Sequence, residues 1–126
     1  MSKIIFSELS YKLTGVFYKV QNELGRFCTE KQYTDAVEQS FRANNTQFLR
    51  EKNLSAHLTS ADIKGIIPDF VVENKIIVDL KTKKFITKDD YNQMMKYLQL
   101  LGLKLGLIVN FRSTYLKPKR VINYKI

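Results

Sequence analysis

The chain has 126 residues, of which 44% are hydrophobic and 26% are charged, a composition typical of one soluble globular domain. Its 21 Lys and Arg residues outnumber its 12 Asp and Glu residues, and the net charge of +9 favours a polyanionic partner such as nucleic acid over an anionic membrane surface. A single cysteine and a single histidine exclude an internal disulfide and the usual zinc sites, so any metal ion should be bound by oxygen atoms.

Membrane insertion and secretion are not expected. No apolar run approaches the roughly 20 residues that a membrane-spanning helix needs. The N-terminal stretch MSKIIFSELSYK interrupts its apolar residues with polar and acidic ones and has no small-residue cleavage site. We therefore expect one domain over residues 1–126, a cytoplasmic location and no membrane partner.

Three helices are predicted from hydrophobic spacing and from capping residues. The first carries apolar residues at helical spacing up to Leu24 and ends at Gly25. The second is predicted over residues 29–43, with a threonine as its N-cap. The third follows Thr87, which is suited to be its N-cap, and ends at Gly102.

Strands are predicted in the remaining segments. The pattern over residues 48–59 is extended but irregular, whereas residues 66–72 and 75–82 are short and rich in β-branched side chains. Two further strands are expected in residues 103–111 and 119–126. The predicted order is ααβββαββ, an α/β fold. Because residues 66–72 and 75–82 are largely apolar on both faces, we expect them in the middle of a sheet that is covered on both sides.

Two carboxylates interrupt these apolar strands. If residues 73–75 form a three-residue hairpin loop, Asp69 lies directly opposite Asp79, with Cβ atoms about 4.5 to 5.5 Å apart. Half-buried like charges at this distance destabilise a fold unless a cation lies between them. Mg²⁺ suits such a site because it binds through one or two carboxylates and retains several waters.

Lys81 follows Asp79 on the same face of the strand, where its ammonium group could orient or help to deprotonate an attacking water. An alternative interpretation places both carboxylates in water near strand ends, with Lys81 as a surface ion-pair partner. The basic run KTKKFITK continues from this point and provides Lys83, Lys84 and Lys88, either as contacts to phosphates or as part of a solvated loop.

The helices add further candidates. Gln93 and Tyr97 are four residues apart on the third helix and therefore share a face, from which Gln93 could hold a water or a phosphate oxygen. Glu30 lies one turn before Tyr33 at the start of the second helix and is a candidate third carboxylate. Acidic residues are also common at this position because of the helix dipole alone.

The residues Pro68-Asp69, Asp79-Leu80-Lys81 and Gln93-x-x-x-Tyr97 occur in an order that resembles the PD-(D/E)XK nuclease superfamily with its QxxxY helix motif. Over nearly its whole length the chain is similar to the GxxExxY family of small proteins within that superfamily. Glu30 and Tyr33 match the Glu and Tyr of the GxxExxY motif, whereas Phe27 stands at the glycine position.

This resemblance implies a restriction-endonuclease-like core, with a mixed central β-sheet flanked by helices. It also implies phosphodiester hydrolysis in DNA with Mg²⁺ as the cofactor, for which Mn²⁺ can substitute. The implied metal ligands are Asp69, Asp79, the backbone carbonyl of Leu80, and Glu30. In the implied chemistry Lys81 acts on the water, Gln93 supports the site, and Tyr33 and Tyr97 pack and orient their neighbours.

Two alternatives remain open from the sequence. One is a catalytically inactive nuclease-like module that binds nucleic acid or a protein partner, since a fold does not by itself determine a function. The other is a toxin-like or mobile-element component that acts on RNA. A homodimer would offer two active sites for two strands, although the sequence contains no decisive interface pattern.

Overall fold

A computed structural model describes residues 5–51 and 67–126, which form three helices and five strands. The elements are helices α1 (Ser7–Leu24) and α2 (Glu30–Ala43), strands β1 (Phe48–Arg50), β2 (Phe70–Val72) and β3 (Ile76–Lys81), helix α3 (Lys88–Leu101), and strands β4 (Leu105–Asn110) and β5 (Lys119–Ile122). Among the elements of the described residues, the predicted order ααβββαββ is confirmed.

The predicted helix caps are present. Thr29 Oγ1 accepts a hydrogen bond from the Gln32 amide at 3.2 Å, and the Gln32 side chain accepts one from the Thr29 amide at 2.8 Å. Thr87 and Asp90 form the same reciprocal capping box at the start of α3. Gly102 ends α3 in the left-handed conformation, with φ 67°, which glycine adopts without a steric penalty.

The five strands form one mixed sheet in the order β1-β2-β3-β4-β5. Strands β3 and β4 are parallel, and the other neighbouring pairs are antiparallel. Val72 pairs with Ile76 across the hairpin, which is the predicted register. Continued past the end of β2, this register sets Asp69 opposite Asp79.

Helices cover both faces of the sheet. Helices α1 and α2 pack on one face, in a core that includes Phe17, Tyr33, Phe41, Val78 and Leu80. Helix α3 packs on the other face, in a smaller core that includes Ile77, Met94, Tyr97, Leu98 and Ile108. Because side chains alternate along a strand, Asp79 and Lys81 share with Ile77 the face that α3 covers.

Helix α3 approaches β4 closely because Gly106 has no side chain. A Cβ atom at Gly106 would lie 2.3 Å from the sulfur of Met94, far inside van der Waals contact. The small residue in an otherwise bulky strand therefore determines how near α3, and the polar residues on it, come to the sheet.

Several strand boundaries differ from the predictions, and β3 and β4 are each slightly shorter than the predicted ranges 75–82 and 103–111. The strand predicted over residues 66–72 begins only at Phe70, because Pro68 has no amide to donate and β1 offers only three residues to pair with. Strand β5 ends at Ile122, opposite the first residue of β4. In the segment predicted as extended over 48–59, β1 is confirmed, Glu51 is helical, and residues 52–59 lie outside the described part, as does Ile66.

A membrane-spanning helix is not found in the described part of the chain: none of its helices is both long and apolar enough to cross a bilayer.

Candidate functional site

Asp79 and Lys81 lie at the carboxyl end of β3, on the face that α3 covers. Asp79 is only 6% exposed, and its Oδ2 atom pairs with Lys81 Nζ at 2.9 Å. Lys81 Nζ also donates a hydrogen bond to Gln93 Oε1 on α3 at 3.2 Å. The predicted meeting of a strand carboxylate, a lysine and a helix glutamine is therefore present in the structure.

Asp69 lies just before β2 and faces the same point. Its Oδ2 atom accepts a hydrogen bond from the Leu80 amide at 2.6 Å. In a strand the N–H and C=O groups of one residue point to the same side, so the Leu80 carbonyl is directed to the same edge of β3. Burial, together with the charge of Asp79, raises the pKa of Asp69 from 3.8 to about 8, although the Leu80 hydrogen bond opposes this shift. Asp69 therefore carries a proton at neutral pH in this arrangement.

Glu30 approaches these groups from α2, on the opposite side of the sheet. The residue is exposed, yet partial burial of its carboxylate raises its pKa, the charge of Lys81 lowers it, and the charge of Asp79 raises it further. Among the described residues no three His, Cys, Asp or Glu side chains are grouped so that they could hold a metal ion. Glu30 is thus near the other two carboxylates without completing a three-ligand group with them.

The donor set nevertheless fits a divalent cation that prefers oxygen. Asp69 and Asp79 provide two carboxylates, the Leu80 carbonyl is directed to the same edge, and Mg²⁺ requires no more than one or two carboxylates. The ammonium group of Lys81 compensates part of the negative charge, and the raised pKa of Asp69 favours its neutral form. A divalent cation could take over that compensation and release the proton.

The two tyrosines fix the backbone around the site. The Tyr33 ring stacks on Phe111 with centroids 4.2 Å apart, and its hydroxyl donates to the Gly25 carbonyl and accepts from the Cys28 amide. The Tyr97 hydroxyl makes a long hydrogen bond of 3.5 Å to the Ile67 carbonyl, two residues before Asp69. Burial raises the pKa of both phenols, so they remain protonated and act as packing groups.

The three predicted nucleic-acid-binding lysines differ in their surroundings. Lys83 Nζ pairs with Asp90 Oδ2 at 2.8 Å, so part of its charge is already compensated. Lys84 and Lys88 are exposed on the segment that leads from β3 into α3. Of these three lysines, only Lys84 and Lys88 have no carboxylate partner among the ion pairs of the described residues.

Asn110 and Glu51 were not predicted from the sequence. Asn110 ends β4 opposite Lys81, and its buried amide bonds the Lys83 amide at 3.1 Å, the Lys83 carbonyl at 2.7 Å and the Arg112 amide at 3.3 Å. In the sequence, the signal for Asn110 is that a polar residue ends the apolar run of residues 105–109. Glu51 raises the pKa of Glu30, and it is brought close by the tertiary fold alone.

Comparison with known proteins adds one positive finding. Residues 7–122 match a protein family described as the PD-(D/E)XK nuclease superfamily, and this range contains every residue of the candidate site. Neither a curated protein nor a solved structure matches the sequence. The five-stranded mixed sheet flanked by helices is consistent with the restriction-endonuclease-like fold. The chain therefore belongs to the PD-(D/E)XK nuclease superfamily.

Proposed function

We propose that this protein is a metal-dependent nuclease that hydrolyses phosphodiester bonds in DNA at the carboxyl end of β3. The observation that carries the proposal is the convergence of Asp69, Asp79, Lys81 and Gln93 at one point, in a chain of a nuclease superfamily. The net charge of +9 supports a polyanionic substrate.

The proposed cofactor is Mg²⁺, with Mn²⁺ able to replace it. Nucleases of this superfamily usually use divalent metal ions. Asp69, Asp79 and the Leu80 carbonyl would hold the ion, and Glu30 would contact it through water. When bound, the ion would polarise the phosphoryl group and lower the pKa of a water molecule.

The remaining residues would position the substrate and the attacking water. Lys81 is held between Asp79 and Gln93, so its ammonium group has a defined place from which to orient the water and to offset negative charge on the phosphoryl oxygens. Because Gln93 Oε1 accepts from Lys81, the NH₂ group of Gln93 is the part that can donate to a water or a phosphate oxygen. Tyr33 and Tyr97 would maintain the backbone around Glu30 and Asp69.

Substrate binding is assigned to the basic segment after β3. Lys84 and Lys88 would contact phosphates, and Lys83 would do so in competition with its Asp90 partner. We further propose that the chain is a GxxExxY-family member, on the match of Glu30 and Tyr33, and that residues 1–126 act as one cytoplasmic domain. A homodimer would bring two such sites to a duplex.

A second candidate function is a nuclease-like module that binds nucleic acid or a protein partner without cleaving. One observation favours it: Lys81 Nζ already compensates the charge of Asp79, at 2.9 Å from Oδ2. A site of this kind can be stable without a cofactor.

Cleavage assays separate the two functions. The purified protein is incubated with single-stranded DNA, duplex DNA and RNA, in Mg²⁺, in Mn²⁺ and in EDTA. A DNA nuclease cuts DNA in Mg²⁺ or Mn²⁺ only, and the Asp79→Asn and Lys81→Met variants lose this activity. Lys75→Met is the matched control, because it removes an exposed lysine next to the opposite end of β3. Binding of DNA in EDTA without cleavage under any condition would refute the hydrolytic proposal, and preferential cleavage of RNA would correct the substrate.

A further inference from the structure

An exposed aromatic residue between two arginines lies beside the candidate site. Phe27 is 75% exposed, and the guanidinium carbons of Arg26 and Arg112 lie 5.2 and 5.3 Å from its ring centroid. Arg26 Nε donates a hydrogen bond to the Arg112 carbonyl at 2.9 Å, which joins the α1–α2 loop to the turn after β4. We call these three residues the arginine clamp.

The clamp carries two positive charges, those of Arg26 and Arg112. Within residues 5–51 and 67–126 neither of its arginines takes part in an ion pair. In the same part of the chain, Arg112 Nε is buried and has no hydrogen-bond partner. Phe27 holds both guanidinium groups by cation–π contacts. Because the two side chains are already ordered, less side-chain entropy is lost when an anion binds to them.

Hydrogen bonds fix the backbone of Arg112 relative to the end of β3. The Phe111 amide donates to the Lys81 carbonyl at 3.0 Å, and the Asn110 side chain bonds both the Arg112 amide and the backbone of Lys83. Arg112 directly follows Phe111, so its Cα lies on the order of 10 Å from that of Lys81. About three nucleotides of a strand span this distance, at 3.4 Å per nucleotide.

We propose that the arginine clamp binds backbone phosphates of the nucleic acid within about three nucleotides of the phosphate held at the end of β3. The two guanidinium groups make the contacts, and Phe27 is a positioning residue that keeps them in place. The identity of the polyanion rests on the proposed function, whereas the clamp geometry does not. Phe27 stands at the motif position where the resemblance leads one to expect glycine.

Salt-dependent binding tests the clamp separately from cleavage. Binding of a short fluorescein-labelled DNA duplex is followed by fluorescence anisotropy in EDTA, over a series of salt concentrations. Arg26→Ala and Arg112→Gln should each remove one phosphate-binding group and reduce the slope of log affinity against log salt by about 0.9, which corresponds to about 8-fold weaker binding at 0.1 M salt. Phe27→Leu leaves the net charge unchanged and should weaken binding by about 2- to 5-fold.

Arg42→Ala is the matched control. Arg42 also lies over a phenylalanine ring, Phe48, at 5.2 Å, but it pairs with Glu38 and lies about 18 Å along α2 from Glu30. Clamp variants that retain native circular dichroism and bind with the affinity and slope of Arg42→Ala would overturn the proposal, as would a wild type that does not bind the duplex at low salt. Clamp-dependent binding without cleavage in Mg²⁺ would retain the clamp and reject the hydrolytic function.

Discussion

Replacing Asp69 with asparagine should stabilise the metal-free protein. Burial and the Asp79 charge raise the pKa of Asp69 to about 8, so the folded protein holds a proton that the unfolded chain releases near its ordinary pKa of 3.8. Unfolding therefore releases this proton between about pH 4 and pH 8. The contribution of this group to stability is fully present below about pH 4 and is lost as the pH rises through 8.

The magnitude follows from these two pKa values. Each pH unit above 3.8 costs the folded state about 1.36 kcal/mol until the folded carboxyl titrates, and pH 7 lies about three units higher, so the full penalty is about 4 kcal/mol. Asparagine keeps an oxygen for the Leu80 amide and cannot lose a proton. We expect Asp69→Asn to be more stable than the wild type by about 2 to 4 kcal/mol at pH 7 in EDTA, and by no more than about 0.5 kcal/mol near pH 4.

Urea denaturation in EDTA at several pH values between 4 and 8 measures this difference. Asp89→Asn, which removes an exposed carboxylate from the first turn of α3, is the charge control. Adding Mg²⁺ should raise the stability of the wild type and should raise that of Asp69→Asn much less, because the ion binds the deprotonated carboxylate. A stability difference that stays constant from pH 5 to pH 8 would show that Asp69 is not protonated in the fold, and the reasoning would be refuted.

Three further substitutions test the site and its support. Lys81→Met should reduce the rate of cleavage by about 10²- to 10⁴-fold in single-turnover assays, while its affinity for duplex DNA stays close to that of Lys75→Met. Equal rates of cleavage by the two variants would show that Lys81 takes no part in the reaction. Gly106→Ala should lower the free energy of unfolding, measured by urea denaturation, by about 1 to 3 kcal/mol because its Cβ would meet the Met94 sulfur. The loss should be smaller in a Met94→Ala background, and simple additivity of the two changes would contradict the contact. Asn110→Leu removes three hydrogen bonds to loop backbone, so we expect the free energy of unfolding to fall by about 1 to 3 kcal/mol. Hydrogen exchange at the Lys83 and Arg112 amides should become faster, and unchanged exchange there would argue against this role.

The order of the elements and the register of the hairpin could be predicted because their signals are local. Thr29 and Thr87 cap the helices that follow them, and the period-two pattern with a three-residue loop brings Asp69 opposite Asp79. The pairing of Lys81 with Gln93 also follows from few assumptions, since the strand and the next helix along the chain pack together. In these cases the residues that decide the structure lie close together in the sequence.

Contacts between distant segments were decided by the tertiary structure alone. The parallel pairing of β3 with β4 brings Asn110 to the loop after Lys81, and the hydrogen bond between Arg26 and Arg112 joins residues 86 positions apart. The protonation of Asp69 likewise depends on burial among segments that periodicity does not relate to one another. Hydrophobic patterns specify which face of an element is buried, but they do not specify which partner covers it, and charge compensation depends on that partner.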